Sequence, residues 1–594
     1  MAQFVLEKTS QYQYVTMLHD DSAHEDIRSR CSVSTLQKAL DDNRVTNSRV
    51  VWANIRNGQS LDKNHPLLKN LFEMGLHQEI MEGLPDFCDI LMEQDLPGGH
   101  TAAVSVWAPL NWNERFLGCG GGGLQTVVDV RMFEAVRTSS VVSGALNGFA
   151  AACTDGGLTD PRMMSWGLND ETGELDTEMI RNWSHRALHE MTVAAKIIVE
   201  ALYGKKPLYS YYQGSSTGGR MGLSEAMRYP EDYDGIWCDA PATNYTRFQM
   251  SGGWPLYVMN WHNDIVSEAK LEAFTRASLE QFGCEDGYID STDAVPFDPF
   301  TLVGHETKDG PITETDAQVL KEILDGPHSE NGEKLFYGIF PGTMLVDPSG
   351  MGLGLIAFAD SKNGKREPVN FVIPDTYVGS WVIQDASWDW RTMTREQYSK
   401  LFRYSQKKFM KMISGEESDL SAYRDRGGKL LLSHCANDSL VFPGGTIELY
   451  HRITEKMGGE DKTLPFARFF LTPGGSHCFH TALGIPLADG MIKLMEWVEK
   501  GIAPEKVPLE IYDIRTLPAK CLMRKEGALY KPSEHPDFEY AVPPLRDVPY
   551  EENEAEDKEL IENLRETSRK NATGLVEEMK GKYMSMSSMF GTGK

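Results

Sequence analysis

A chain of 594 residues, 41% hydrophobic and 24% charged, has the composition of a globular protein and is long enough for more than one domain. A formal net charge of −27 argues against nucleic acid or an anionic membrane as partner, and no stretch is apolar enough to span a bilayer. The opening residues, Met1 to Lys8, lack a basic segment followed by an apolar one, and the nine cysteines are scattered, so the expectation is a reducing, cytoplasmic setting with no disulfide framework.

Residues 1 to about 98 carry no clear pattern. Thr101 to Pro109 reads as a strand, and Arg115 to Gly118 as another that runs into Cys119 and the glycines 120–123. Phe149 to Thr154 is a third apolar run. A helix follows, with Leu188, Met191, Ala195, Ile198 and Leu202 on one face and Gly204 where a helix-ending glycine belongs. The aromatic strand Leu208 to Tyr212 then leads through Gly214, Ser216 and Gly218 into a second helix, which Pro230 stops. Gly235 to Cys238 is the next strand.

Strands alternating with helices predict a mostly parallel α/β sheet with helices on both faces. From about Thr243 this rhythm is lost, and residues 245–405, rich in Gly, Pro, Asp, Trp and Phe, read as an inserted lid domain. The core, begun in residues 1–244, resumes over 406–546 with strands at Lys429 to Ser433 and Phe466 to Leu471. From Asp547 the composition turns strongly charged. Leu560, Ile561 and Leu564 could line a helix there, but 547–594 as a whole reads as a solvated tail.

A Gly-x-Ser-x-Gly on a strand-to-helix turn is the setting of a nucleophile elbow, which pushes a serine hydroxyl out at the top of the sheet. Ser216 is framed by Gly214 and Gly218, whereas Ser215 has Gln213 and Thr217 in those places. A serine hydroxyl needs a base at neutral pH. In an α/β-hydrolase, acid and base follow later strands in the order Ser, Asp, His. Asp438 comes after the strand at Leu430 and His477 after the strand ending at Leu471, so Asp438 is expected to orient the imidazole and His477 to act as general base. His434 and His480 are rivals for His477. The oxyanion is expected to meet the backbone amides of Thr217 and of Gly121 and Gly122. A second use of the same loops, a metal held by His434, Cys435, His477, Cys478 and His480, has suitable residue types but no familiar spacing.

Further motifs carry a resemblance: Trp112-Asn113-Glu114-Arg115-Phe116-Leu117 with the glycine run, Ala187-Leu188-His189-Glu190-Met191-Thr192 with Lys196, Ser216-Thr217-Gly218-Gly219-Arg220, Tyr229-Pro230-Glu231-Asp232-Tyr233-Asp234-Gly235-Ile236, and Pro443-Gly444-Gly445-Thr446. In these the chain resembles the tannase and feruloyl esterase family from about Phe87 to about Pro508. The resemblance implies an α/β-hydrolase fold with a large lid, cleavage of esters of aromatic acids, and triad positions at Ser216, Asp438 and His477. It also implies a disulfide between a cysteine before the nucleophile and one after the histidine. Here Cys478 is present but Ser215 holds the other place. A calcium loop in the lid is implied too, of which only Asp286 and Asp290 stand as candidate ligands.

The expectation is a serine carboxylesterase for small gallate- or hydroxycinnamate-type esters, needing no cofactor. The lid aromatics Trp381, Trp388, Trp390 and Phe340 are expected to wall the acyl group. The alternative is a scaffold that binds an aromatic ligand without turning it over.

Overall fold

The computed structural model describes residues 4–9, 12–17, 22–56, 84–123, 141–158, 164–169, 171–285, 287–346, 354–360, 366–369, 372–413, 415–477, 489–513 and 520–571. Its centre is one sheet built from β1 (Ser48–Arg56), β2 (Phe87–Leu96), β3 (His100–Pro109), β4 (Arg115–Cys119), β5 (Ala150–Thr154), β6 (Tyr209–Ser215), β7 (Gly235–Asp239), β8 (Lys429–Cys435), β9 (Ala467–Thr472), β10 (Lys506–Asp513) and β11 (Lys520–Leu529). Across the sheet the order is β10-β11-β9-β8-β7-β6-β4-β5-β3-β2-β1. The run from β9 to β5 is parallel, and the strands on both flanks are antiparallel. The central strands β4 to β9 are short and buried almost throughout, as expected for a parallel sheet covered on both faces.

Helices cover those faces. On one lie α1 (Val33–Asp42), α2 (Ala187–Tyr203) and α3 (Thr217–Arg228), whose apolar residues pack with those of β2, β3, β6 and β8. The expected face of α2 is buried, and Gly204 ends the helix at φ 74°. On the other face, Met491, Leu494 and Met495 of a later helix (Asp489–Lys500) pack against Trp107, Tyr211, Trp237 and Phe470.

Residues 240–428 lie between β7 and β8 as a largely helical insertion with its own core, built round Trp254, Tyr257, Trp381, Trp388, Tyr398 and Phe402. Trp166, Trp183 and the C-terminal segment contribute to that core. The solvated-tail reading of 547–594 is corrected here for the part described. Glu554–Asn571 is a helix docked on the insertion, with Leu564 fully buried, Ile561 nearly so, and Ser568 Oγ accepting the Asp389 N–H at 2.9 Å. The charged residues take its outer face and the apolar ones its inner face.

Cys31 and Cys88 form a disulfide across 57 residues, which the scattered cysteine spacing did not suggest. Among the described residues no helix is long and apolar enough to cross a membrane.

Candidate active site

β6 passes into α3 with no residue between them but Ser216. Ser216 sits there at φ 58°, ψ −122°, a conformation costing a non-glycine residue on the order of 1–3 kcal/mol. Neighbouring strands and turns hold it: Ser216 N–H donates to the Asp239 carbonyl at 2.9 Å, and the Ser216 carbonyl accepts from Ala242 N at 3.0 Å. A Cβ on Gly214 would collide with the Gly218 carbonyl, and one on Gly218 with the Gly121 carbonyl. That is why the serine needs glycine on both sides. Ser215, in the place where the resemblance implies cysteine, points its hydroxyl at Asp239 Oδ2 (3.2 Å). Asp239 is buried and also takes the Ser433 hydroxyl at 2.7 Å. One carboxylate thus ties the serine turn to β8.

Asp438 and His477 come to this bend from the ends of β8 and β9. His477 Nε2 lies 2.9 Å from Ser216 Oγ, and His477 Nδ1 lies 2.7 Å from Asp438 Oδ2. Asp438 has no exposed side-chain surface, His477 has 12%, and Ser216 is half-buried. Burial alone would raise the Asp438 carboxyl. The charge of His477 and the hydrogen bonds from His434 and His477 outweigh it and hold the carboxyl well below its ordinary range.

His434, a rival for the base, instead stands behind Asp438, with its Nε2 3.1 Å from Asp438 Oδ2. Nothing in its sequence context marked this role; a histidine ending a strand was the only signal. The other rival, His480, and Cys478 lie outside the described residues, so the five-residue metal set cannot be assembled from those described.

The glycine loop is laced to the start of α3. Gly218 N–H donates to the Gly121 carbonyl at 2.9 Å, Gly120 N–H to the Gln213 carbonyl at 3.0 Å, and the Thr217 hydroxyl to the Gly123 carbonyl. This sets Gly121 and Gly122 beside Thr217. Thr217 is the first residue of α3, so its N–H belongs to the amides that no intrahelical carbonyl takes up.

The aromatic acyl wall is corrected. Trp381 and Trp388 are fully buried and Trp390 is 6% exposed, all within the core of the insertion. Trp381 packs edge-on to Trp183 at 5.7 Å, and Trp183 in turn carries the Arg220 guanidinium 4.2 Å over its ring. Trp381 thus reaches α3 through Trp183 and Arg220, while Trp390 packs against Tyr257 inside the insertion. Aromatic composition reported their presence but not their direction. Phe340 is only partly buried, and the adjacent Pro341 carbonyl accepts the Asn437 side-chain amide at 3.0 Å, next to Asp438.

Of the candidate calcium ligands, Asp286 lies outside the described residues and Asp290 is exposed. Among the described residues, His189, Glu225 and Asp232 are grouped closely enough to hold a metal. Two of its members already have partners within the protein. His189 Nδ1 is 2.7 Å from Asp232 Oδ2, and the Lys196 ammonium donates to the Asp232 carbonyl. Burial, then the charge of Asp232, pushes the Glu225 carboxyl far up, so it keeps its proton.

The family model described as tannase and feruloyl esterase matches residues 97–516. A probable feruloyl esterase of Arthroderma benhamiae is 35% identical over 432 residues, covering 69% of this chain and 76% of that protein. Feruloyl esterase C of Talaromyces stipitatus is 26% identical, covering 82% of this chain and 88% of its own. The fold is shared with two solved structures. Feruloyl esterase B from Aspergillus oryzae has a TM-score of 0.64 at 21% identity, over 83% of this chain and 96% of that one. Tannin acyl hydrolase from Aspergillus niger has a TM-score of 0.67 at 18% identity, over 88% and 98%. The fold is that of the α/β-hydrolases, and the chain belongs to the tannase and feruloyl esterase family of carboxylic ester hydrolases.

Proposed function

We propose that the chain hydrolyses esters of aromatic carboxylic acids, of the hydroxycinnamate or gallate type, through an acyl-enzyme on Ser216. The observation that carries this is the continuous line from Ser216 Oγ to His477 Nε2 at 2.9 Å and from His477 Nδ1 to Asp438 at 2.7 Å. Ser216 Oγ attacks the ester carbonyl while His477 Nε2 takes its proton. Asp438 keeps the ring oriented and balances the imidazolium. The oxyanion is received by the Thr217 amide and by an amide of Gly121 or Gly122. Collapse expels the alcohol, which takes the proton back from His477. Water, deprotonated by the same imidazole, then releases the acid. The reaction as drawn uses protein groups and water only, and the insertion serves as a lid over the acyl side.

Purified protein should release acid from methyl ferulate or methyl gallate. Ser216→Ala should fold normally and lose about 10⁴- to 10⁶-fold in kcat; hydrolysis at the parental rate sinks the assignment. The compartment is a separate matter. The Cys31–Cys88 disulfide suits an oxidising setting better than the cytoplasm expected from the start of the chain. Thiol alkylation of the protein as made in the cell, with and without reduction, decides between them.

A further inference from the structure

Asp438 is bonded at both oxygens. Oδ1 accepts the backbone N–H groups of Leu440 and Val441, each at 2.8 Å. Oδ2 faces two imidazoles, His477 Nδ1 at 2.7 Å and His434 Nε2 at 3.1 Å. His434 Nε2 also lies 3.0 Å from the Val441 carbonyl. Two acceptors on one ring nitrogen mean that Nε2 carries a hydrogen. The opposite nitrogen, Nδ1, is 3.0 Å from the Thr446 hydroxyl, which fixes the ring from the other side. His434 has no exposed surface, so no water competes for these contacts.

We infer that His434 is a positioning residue for the hydrolysis, donating its Nε2–H to Asp438 so that the carboxylate stays turned towards His477. The inference rests on the Ser216, Asp438 and His477 reading above. Its physical content is a division of labour on one oxygen. Without His434, Oδ2 keeps only the His477 contact and the planar carboxylate is held otherwise by the two N–H groups at Oδ1, so rotation of the whole group away from the His477 ring is less restrained. Where Oδ2 still meets His477, its charge is no longer shared with a second donor. It then holds the imidazolium more tightly, and the base form of His477 is reached only at higher pH. Among the described residues, the titratable groups beside these loops include Cys435 on β8 against Gly475, Tyr288 of the insertion against Gly474, and Asp239 at the end of β7, bonded to Ser215 and Ser433. None is altered by changing His434.

The test compares His434→Leu, which removes the donor, with His434→Gln, whose amide can reproduce it, and His434→Asn, whose amide falls short. The expected result for leucine and asparagine is a kcat about 10- to 100-fold lower with KM within about threefold, and an acid limb of the kcat/KM profile moved upward by about half a pH unit or more. Glutamine should restore kcat to within about fivefold of the parent, with the limb in place. Melting temperature and circular dichroism establish which variants fold; should leucine fail, asparagine against glutamine gives the same contrast. Equal losses in all three with an unmoved limb, or parental kinetics in a folded leucine or asparagine variant, overturn the inference. A fluorophosphonate that fails to label Ser216 in the parent overturns the underlying reading instead, and this one with it.

Discussion

Among the described residues, two histidine–aspartate pairs at the two ends of α3 have the same length, and only one has the makings of chemistry. His477 and Asp438 meet at 2.7 Å, as do His189 and Asp232. The first pair ends on a strained serine, with its carboxylate surrounded by N–H donors. The second lies at the far end of α3, whose 12 residues span about 18 Å. There the His189 ring is stacked flat on Tyr229 at 3.9 Å, beside a second carboxyl and the Lys196 ammonium. The histidine–aspartate bond is therefore not the signature of the site. What the other ring nitrogen faces, and how the carboxylate's charge is balanced, separates a working pair from a structural one.

The sharpest way to break this comparison is to remove each imidazole. His477→Ala should cost about 10⁴- to 10⁶-fold in kcat. His189→Ala should leave kcat within about threefold and lower the melting temperature. Comparable losses in steady-state rate would remove the distinction. Changing the carboxylates to amides sharpens it further. Asp438→Asn should lower kcat about 10³- to 10⁴-fold by presenting the wrong hydrogen-bonding partner to His477, while Asp232→Asn should act mainly on stability. An Asp232→Asn enzyme that folds but is as slow as Asp438→Asn would contradict the account.

The smallest effect is on pH-dependent stability, and its sign differs between the two places. Asp438 is held below its ordinary range, with burial overcome by His477 and His434. It adds stability above about pH 4, and that stability is lost as the pH falls further. Glu225 is raised, by burial and then by Asp232, so it binds a proton in the folded chain that the unfolded chain has released. Its effect is to lower stability progressively as the pH climbs above about 4.5. Glu225→Gln, which keeps a neutral side chain of the same shape, should therefore gain on the parent by a few degrees more at pH 8 than at pH 5. Differential scanning fluorimetry of both proteins across that range checks it; a gap that shrinks with rising pH contradicts the assignment of the proton.

The elbow was legible in the sequence because Gly214, Ser216 and Gly218 sit between an aromatic run and an amphipathic one, and few turns demand that pattern. Asp438 and His477 were legible because each follows an apolar strand in the right order. His434 was visible only as a competitor, since its role depends on where the chain turns back four residues later. The insertion was opaque for a different reason. Its helices Tyr245–Gly252 and Trp254–Trp261 are buried on nearly all sides, and even Arg247, Gln249 and Ser251 face the interior, so no solvent-facing side sets a readable period. For the same reason Trp381, Trp388 and Trp390 looked like ligand walls when they are core. The Cys31–Cys88 bond joins a segment with no pattern to an edge-side strand, and nothing local announces it.

The C-terminal helix has a practical bearing on how this protein is handled. The recognisable family segment stops at residue 516, yet β11 lies beyond it and is wedged between β9 and β10. The helix Glu554–Asn571 lies further out still, with Ile561 and Leu564 plugged into the insertion. A gene cut back to the part that sequence comparison recognises would pull one plank from the sheet and unseal a tryptophan-rich interior, each lost aliphatic plug costing about 1.5–3 kcal/mol. What is most easily identified in this chain is smaller than what can stand on its own.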